Sequence, residues 1–289
     1  MKKLLLLLPV SILLSTCQKD DLTPSWLIID DIELQTDEAT EGPNSNGITD
    51  AWVYMDNEAL GVFSLPARIP ILAEGQHNFT VYAGVKVNGI SATRTRYPFY
   101  DRFDQTIVLT KNEETVLNPV VKYKDNVQFQ LLEDFEDIGI DFQPDPDSDT
   151  NITIITATQY PDIVKYGNSC GMLSLTQIDS IYKGETNTNL LLPRNQDLFV
   201  EIDYMNTNTI AMGVIAENSQ QTNEHNPLVI MNAQDQNSMV WKKIYIDIQE
   251  DVSYEINATS YEIFLLSILD QENDSGVIYL DNIKVIRYD

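Results

Sequence analysis

Asp50-Ala51-Trp52-Val53-Tyr54-Met55-Asp56-Asn57-Glu58-Ala59-Leu60-Gly61-Val62-Phe63 places two apolar-rich runs on either side of Asp56-Asn57. Asp and Asn tolerate the left-handed dihedrals of a tight two-residue turn, so the stretch predicts a β-hairpin. The same grammar recurs in both directions. Upstream, Trp26-Leu27-Ile28-Ile29 with Ile32-Glu33-Leu34 predicts a first strand, and residues 40–47 a loop rich in Gly, Pro and Asn. Downstream, residues 69–72, 79–82, 106–109, 115–117 and 120–121 carry short runs of Val, Ile, Thr, Tyr and Phe between turn residues. Beyond residue 127 the pattern continues at 198–204, 240–248 and 261–266. Almost no segment shows a helical period, so the chain is predicted to be all-β.

At 289 residues, 43% of them hydrophobic, the chain can bury one or two cores, and two are expected. There are 44 acidic residues against 18 basic ones, a formal charge of −26. Such a field repels nucleic acid and anionic lipid heads and excludes DNA or RNA as partners. Neutral glycans, divalent cations and basic proteins remain compatible with it.

The N-terminus predicts a compartment. Lys2-Lys3, the apolar run Leu4 to Leu14 and then Ser15-Thr16-Cys17 form a signal peptide, too short to span a bilayer. Leu14-Ser15-Thr16-Cys17 resembles the bacterial lipobox, with Thr16 departing from the usual Gly, Ala or Ser. That resemblance implies cleavage after residue 16 and lipidation of Cys17; several acyl chains hold a protein stably without a transmembrane helix. Gln18-Lys19-Asp20-Asp21 resembles the surface-export signal of Bacteroidota lipoproteins. It implies an outer-membrane protein facing the exterior; the alternatives are a solvated acidic tether over residues 17–25 and a periplasm-facing protein. With Cys17 lipidated, Cys170 is left without a disulfide partner, and its flanks read as a turn entering a strand where a small buried residue fits better than a nucleophile.

Two further resemblances concern the fold. Over residues 50–83, the order hairpin, Leu60-Gly61, Pro66, Glu74-Gly75-Gln76-His77, strand is similar to PEGA-like and immunoglobulin-like surface modules, implying a β-sandwich over 26–125. Leu131-Leu132-Glu133-Asp134-Phe135-Glu136-Asp137 paired with Val277 to Val285 (VIYLDNIKV) resembles the galactose-binding-like jelly rolls of carbohydrate-binding modules, in which a "DFE" first strand lies beside a "YLDNI" last strand. That resemblance covers 127–289. It implies carbohydrate binding and, in many such modules, one structural Ca²⁺ joining first and last strands. By position Glu136 and Asp281 would supply its carboxylates, the alternative being that both face solvent or a turn.

Several local features compete for a function. Residues 89–103 hold Arg94, Arg96 and Arg102 beside Tyr97, Phe99, Tyr100 and Phe103, a composition favoured where partners bind. Arg94, Arg96, Tyr97, Phe99, Tyr100 and Arg102 are therefore candidates for docking an outer-membrane protein complex, against a structural loop whose aromatics cap the sandwich. Tyr160, Tyr166, Tyr182, Tyr204 and Trp241 are candidates for stacking on sugar rings, although most are expected in the core. The acids of Pro144 to Asp149 alternate, but Thr150 and Thr156 stand where an EF-hand needs Gly and Glu, so a solvated loop is expected. Asp179-Ser180-Ile181 resembles a short O-glycosylation acceptor of Bacteroidota. His77 and His225, the two histidines, belong to no metal or triad motif, and no phosphate loop is present. The expectation is a non-enzymatic surface lipoprotein binding carbohydrate through its C-terminal jelly roll, the alternative an accessory subunit docking through 94–103.

Overall fold

The computed structural model describes residues 23–218, 222–224, 227–271 and 273–289. The signal peptide, Cys17, the tetrapeptide Gln18-Lys19-Asp20-Asp21 and His225 lie outside the described residues. The fold is all-β, as expected, and no described helix is long and apolar enough to cross a membrane.

The hairpin forms where the sequence places it. Asp56 and Asn57 take φ of 51° and 70°, joining Asp50–Met55 to Glu58–Ser64 with Trp52 opposite Val62. Positive φ at both central residues matches the twist of the flanking strands. Asp50–Met55 also pairs with the long strand Gly75–Lys86, which Arg102–Leu109 and Arg94–Arg96 extend. The facing sheet is Ala67–Ile71, Ser25–Ile29 and Glu114–Val116. Alternation along Ser25–Ile29 sends Leu27 and Ile29 into a core shared with Val53, Ile69, Phe79 and Val81.

The single first strand expected over 26–34 is two strands. Exposed Asp30 and Asp31 turn the chain, the Asp31 carboxylate accepts from the Ile32 amide at 2.8 Å, and Glu33–Leu34 then pairs in parallel with Val120–Val121.

From Val127 onward two sheets face each other. One orders Thr153–Thr156, Ser169–Thr176, Ser275–Tyr288, Leu198–Asn206 and Lys242–Asp247, with Val127–Glu133 beside the far half of Ser275–Tyr288. The other contains Phe142–Pro144, Ile181–Thr186, Ser260–Ile268, Ile210–Glu217, Thr222–Glu224 and Val229–Met231. First and last strands do lie together, Leu131 opposite Val285 and Glu133 opposite Ile283. The "DFE" itself is not strand but the turn after it. Phe135 has φ 56°, and the Glu133 carboxylate accepts its amide at 2.7 Å.

The last strand is central and buried on both faces. Ile278 and Leu280 enter the sandwich core, as do Ile283 and Val285, so the alternation skips a residue at Asp281-Asn282. Asn282 has φ 49°, and the pairing with Leu198–Asn206 shifts register between Glu201 and Asp203. A bulge inserts one residue and re-aims its neighbours. Here it carries the acid and amide of "YLDNI".

The two sandwiches share a buried seam. Phe199, Tyr245 and Ile286 of the C-terminal half belong to the N-terminal core cluster with Tyr97, Phe99, Tyr100 and Tyr123. Val87 bridges Tyr245, the Asn88 amide donates to the Tyr245 carbonyl at 2.8 Å, and the Asp247 amide donates to Asn88 Oδ1 at 2.9 Å. Glu201 lies fully buried at the centre. Its carboxylate accepts from Tyr97 at 2.6 Å, from Tyr123 at 3.0 Å and from Lys243 at 2.9 Å. Burial alone would raise the Glu201 carboxyl, but Lys243, Lys284 and the tyrosine hydroxyl hold it below the usual range. Lys243 also lies 3.6 Å from Asp203, which accepts from Ser45 and, at 3.0 Å, from Asn282. The loop at 40–47 is thus fastened to the second sandwich.

Candidate functional site

The arginine-aromatic segment divides between the seam and the surface. Tyr97, Phe99 and Tyr100 are at most 3% exposed and stack edge-on within the seam, Tyr97 against Phe199 and Tyr245 with centroids 5.3 and 4.7 Å apart. Their expected role in docking an outside partner is corrected: the partner of these rings is the chain's own second sandwich. Contacts with Phe199, Tyr245 and Tyr288 of the second sandwich hold the rings inward, a demand that local composition does not reveal. Arg94 stays outside, bonded to buried Asp50 at 2.5 Å and to Ser64 at 2.7 Å, and Arg102 pairs with Asp104 at 2.8 Å. Arg96 stacks over Tyr82 at 4.8 Å and stands 5.7 Å from the Trp52 ring.

Beside Arg96 the seam opens into a groove of about 580 Å³. Tyr82 and Arg96 line its N-terminal side with Lys124, and Asp197, Asp247 and Tyr288 its C-terminal side. Buried Tyr97, Tyr100 and Phe199 form its floor, so the walls rest on a fixed base. Lys124 donates to the Pro98 carbonyl and, at 3.0 Å, to the Tyr288 hydroxyl, which itself donates to Pro98. Burial raises the Asp247 carboxyl despite the Gln249 amide it accepts, and nearby Asp197 adds to the rise. The groove combines a ring face, two cations and two carboxylates, at a volume ordinary for a small-molecule site.

A second, smaller cleft of about 200 Å³ opens at the bulge, between Asp134, Glu136, Tyr166, Asn168, Asp281 and Asn282. The structure brings the two expected cation ligands, Glu136 and Asp281, to this one cleft, in different settings. Glu136 accepts the Asn168 amide at 2.6 Å, the Ser169 amide at 2.9 Å and Asn168 Nδ2 at 3.1 Å, so its carboxylate also clamps a turn at the edge of the cleft. Asp281, 1% exposed, has Oδ2 without a donor, as is Asn282 Oδ1. Burial first, then Asp203, push the Asp281 carboxyl up to about 9. Orphaned buried acceptors of this kind fit a cation. Among the described residues, no three His, Cys, Asp or Glu side chains are grouped to hold a metal.

The remaining candidates have local roles. Tyr182 is fully buried in the C-terminal core, which corrects its candidacy as a sugar platform. Tyr204 packs half-buried on the same core, and Trp241 covers the outer face of the sheet beside Cys170, its Nε1 donating to the Ile163 carbonyl at 2.7 Å. Tyr160 is 40% exposed and Tyr166 borders the small cleft. Cys170 is fully buried, as the sequence suggested, and burial pushes its thiol up to about 12. His77 bonds Asp56 at 2.6 Å beside the hairpin turn, an ion pair that raises the imidazole. The 144–149 loop is a hydrogen-bonded turn, Asp145 accepting the Asp147 amide at 2.8 Å, and Ser180 donates to Asp149 at 3.2 Å.

No protein-family model matches the sequence, and no curated protein matches it. Among solved structures, similarity extends to the enzymatically active domain of tailspike protein 4 of bacteriophage CBA120, at 14% identity over 53% of this chain and 20% of that one, TM-score 0.35. The chain thus spans about a fifth of the tailspike chain's length. A family 28 carbohydrate-binding module specific for non-crystalline cellulose matches at 13% identity over 53% of this chain and 92% of that one, TM-score 0.34. A family 61 module in complex with β-1,4-galactotriose matches at 12% identity over 50% and 86%, TM-score 0.31. At these scores the likenesses carry no conclusion about what this chain binds.

Proposed function

We propose that this chain is a lipid-anchored protein of the outer-membrane surface that binds extracellular carbohydrate without transforming it. The seam groove is the observation that carries the reading. Sugars present apolar ring faces and many hydroxyls, and the groove meets them with the stacked Arg96 and Tyr82 and with carboxylates that accept hydroxyl protons. Both sandwiches build it, the jelly roll supplying Asp197, Asp247 and Tyr288. Anchoring rests on the lipobox-like Leu14 to Cys17 and surface placement on Gln18 to Asp21. A binding role suits a chain whose Cys170 is buried and protonated and whose His77 is held by Asp56. On a glycan array, the full mature chain is expected to bind a restricted set of saccharides, and Tyr82→Ala to weaken them about tenfold, the loss of roughly 1.4 kcal/mol of ring contact. A blank array with folded protein contradicts the reading.

In the small cleft, Asp281 and Asn282 would hold a divalent cation, with backbone carbonyls and water completing the six to eight oxygens that calcium takes. Its role would be to tie the last strand to the turn at Asp134, neutralising a buried acid. Calcium at about 100 times its Kd then adds about 2.7 kcal/mol of stability to the wild type and little to Asp281→Asn, read as melting temperature. Equal shifts in both proteins would remove the cation from this cleft.

A further inference from the structure

We infer that the saccharide taken by the seam groove is acidic, a uronate-type sugar whose carboxylate is received by Arg96; this rests on reading the groove as a saccharide site. Three of the six arginines of this acidic chain are neutralised by acids of the fold. Arg68 pairs with Glu114 at 3.0 Å, Arg94 with Asp50 at 2.5 Å and Arg102 with Asp104 at 2.8 Å. Arg96 differs. Among the described residues no carboxylate lies within salt-bridge distance of it, and its guanidinium is instead laid over Tyr82 at 4.8 Å. A guanidinium held over a ring keeps N–H donors that can receive a carboxylate with two parallel hydrogen bonds.

The rest of the groove agrees with a ligand that is anionic at one end and hydroxylated at the other. Lys124, its second cation, is held by the Pro98 carbonyl and the Tyr288 hydroxyl rather than by an acid. Across the groove, Asp197 and Asp247 would repel the carboxylate end and accept from sugar hydroxyls, which orients the ring between the two walls. A neutral sugar satisfies the second wall and leaves the first unmatched. A uronate satisfies both.

The test is titration calorimetry of the full mature chain with an oligouronate and with its carboxyl-reduced, neutral counterpart. The uronate is expected to bind at least about tenfold more tightly than the neutral sugar. Arg96→Ala should weaken the uronate about 10- to 100-fold and bring the affinities of the two sugars to within about twofold of each other, as loss of a charge-assisted pair requires. Arg96→Gln, which keeps a polar side chain and removes the guanidinium with its charge, should do the same and serves if the alanine variant fails to fold. Equal affinity for both sugars, or a uronate preference that survives either substitution, overturns the assignment to Arg96 while leaving the saccharide reading intact. Binding of neither sugar, together with a blank glycan array, overturns both.

Discussion

Lys243→Met is expected to lower the free energy of unfolding by about 3–5 kcal/mol, because it strands the fully buried Glu201 carboxylate without its nearest cation. Methionine fills much of the same volume, so a cavity contributes little. The loss comes from charge. Lys284 replaces Lys243 only in part: it acts on Glu201 through space, but its Nζ has no hydrogen-bond partner and lies over the Tyr123 and Phe129 rings at 5.4 and 5.8 Å, and burial, then Lys243, push its ammonium down to about 8. Adding Glu201→Gln to Lys243→Met should restore part of the loss, since a neutral amide no longer needs the cation. Urea denaturation of the two variants measures both effects. A loss below about 1 kcal/mol for the single variant would mean that water reaches the pair, as at surface ion pairs.

Tyr97→Ala should cost a similar amount, about 3–5 kcal/mol, by emptying the aromatic centre of the seam. Tyr97→Phe keeps the ring and removes only the hydroxyl that donates to Glu201 at 2.6 Å, so about 1–3 kcal/mol is expected. The alanine variant also separates two kinds of coupling. If the seam joins the sandwiches, unfolding of this variant should split into two transitions and protease should cut near residues 124–126 between them. One unbroken transition with little loss of stability would show that the ring adds nothing to the joint.

Much of the fold could be read along the chain because its signals are local. Asp56-Asn57 announces its turn by residue type, Cys170 its burial by its place where a turn enters a strand, and the first and last strands of the jelly roll lie together as their motifs suggested. The seam could not be read in this way. In Leu198 to Tyr204, Glu201 and Asp203 alternate with Val200 and Ile202, which is also the pattern of a strand with one face in water. Here that face is covered by Tyr97, Tyr123 and Ser45, residues 78 to 158 positions away. A signal did exist: Lys243 and Lys284 sit on neighbouring strands with the parity to meet those acids, but parity gives the pairing and not the burial. Arg96 was visible as part of a cluster. Its lack of an acid partner, which sets it apart from Arg94 and Arg102, depends on where Asp50 and Asp104 come to lie.

The small cleft shows a similar limit. Sequence position named Glu136 and Asp281 together and both line the cleft, but position does not show that Glu136 also clamps the amides of Asn168 and Ser169 or that the bulge leaves Asp281 and Asn282 with unmatched oxygens. Both details depend on residues with positive φ, Phe135 and Asn282. Asn is a type that tolerates this conformation, whereas at Phe135 residue type gave no warning.

The most direct test of a surface carbohydrate-binding protein is labelling of intact cells with a fluorescent saccharide chosen from the array. Cells displaying the wild-type chain should take up label that protease treatment of the intact cells removes, and cells displaying Tyr82→Ala at equal abundance should not. Label that binds only after the cells are lysed, or that binds the two strains equally, would contradict the account.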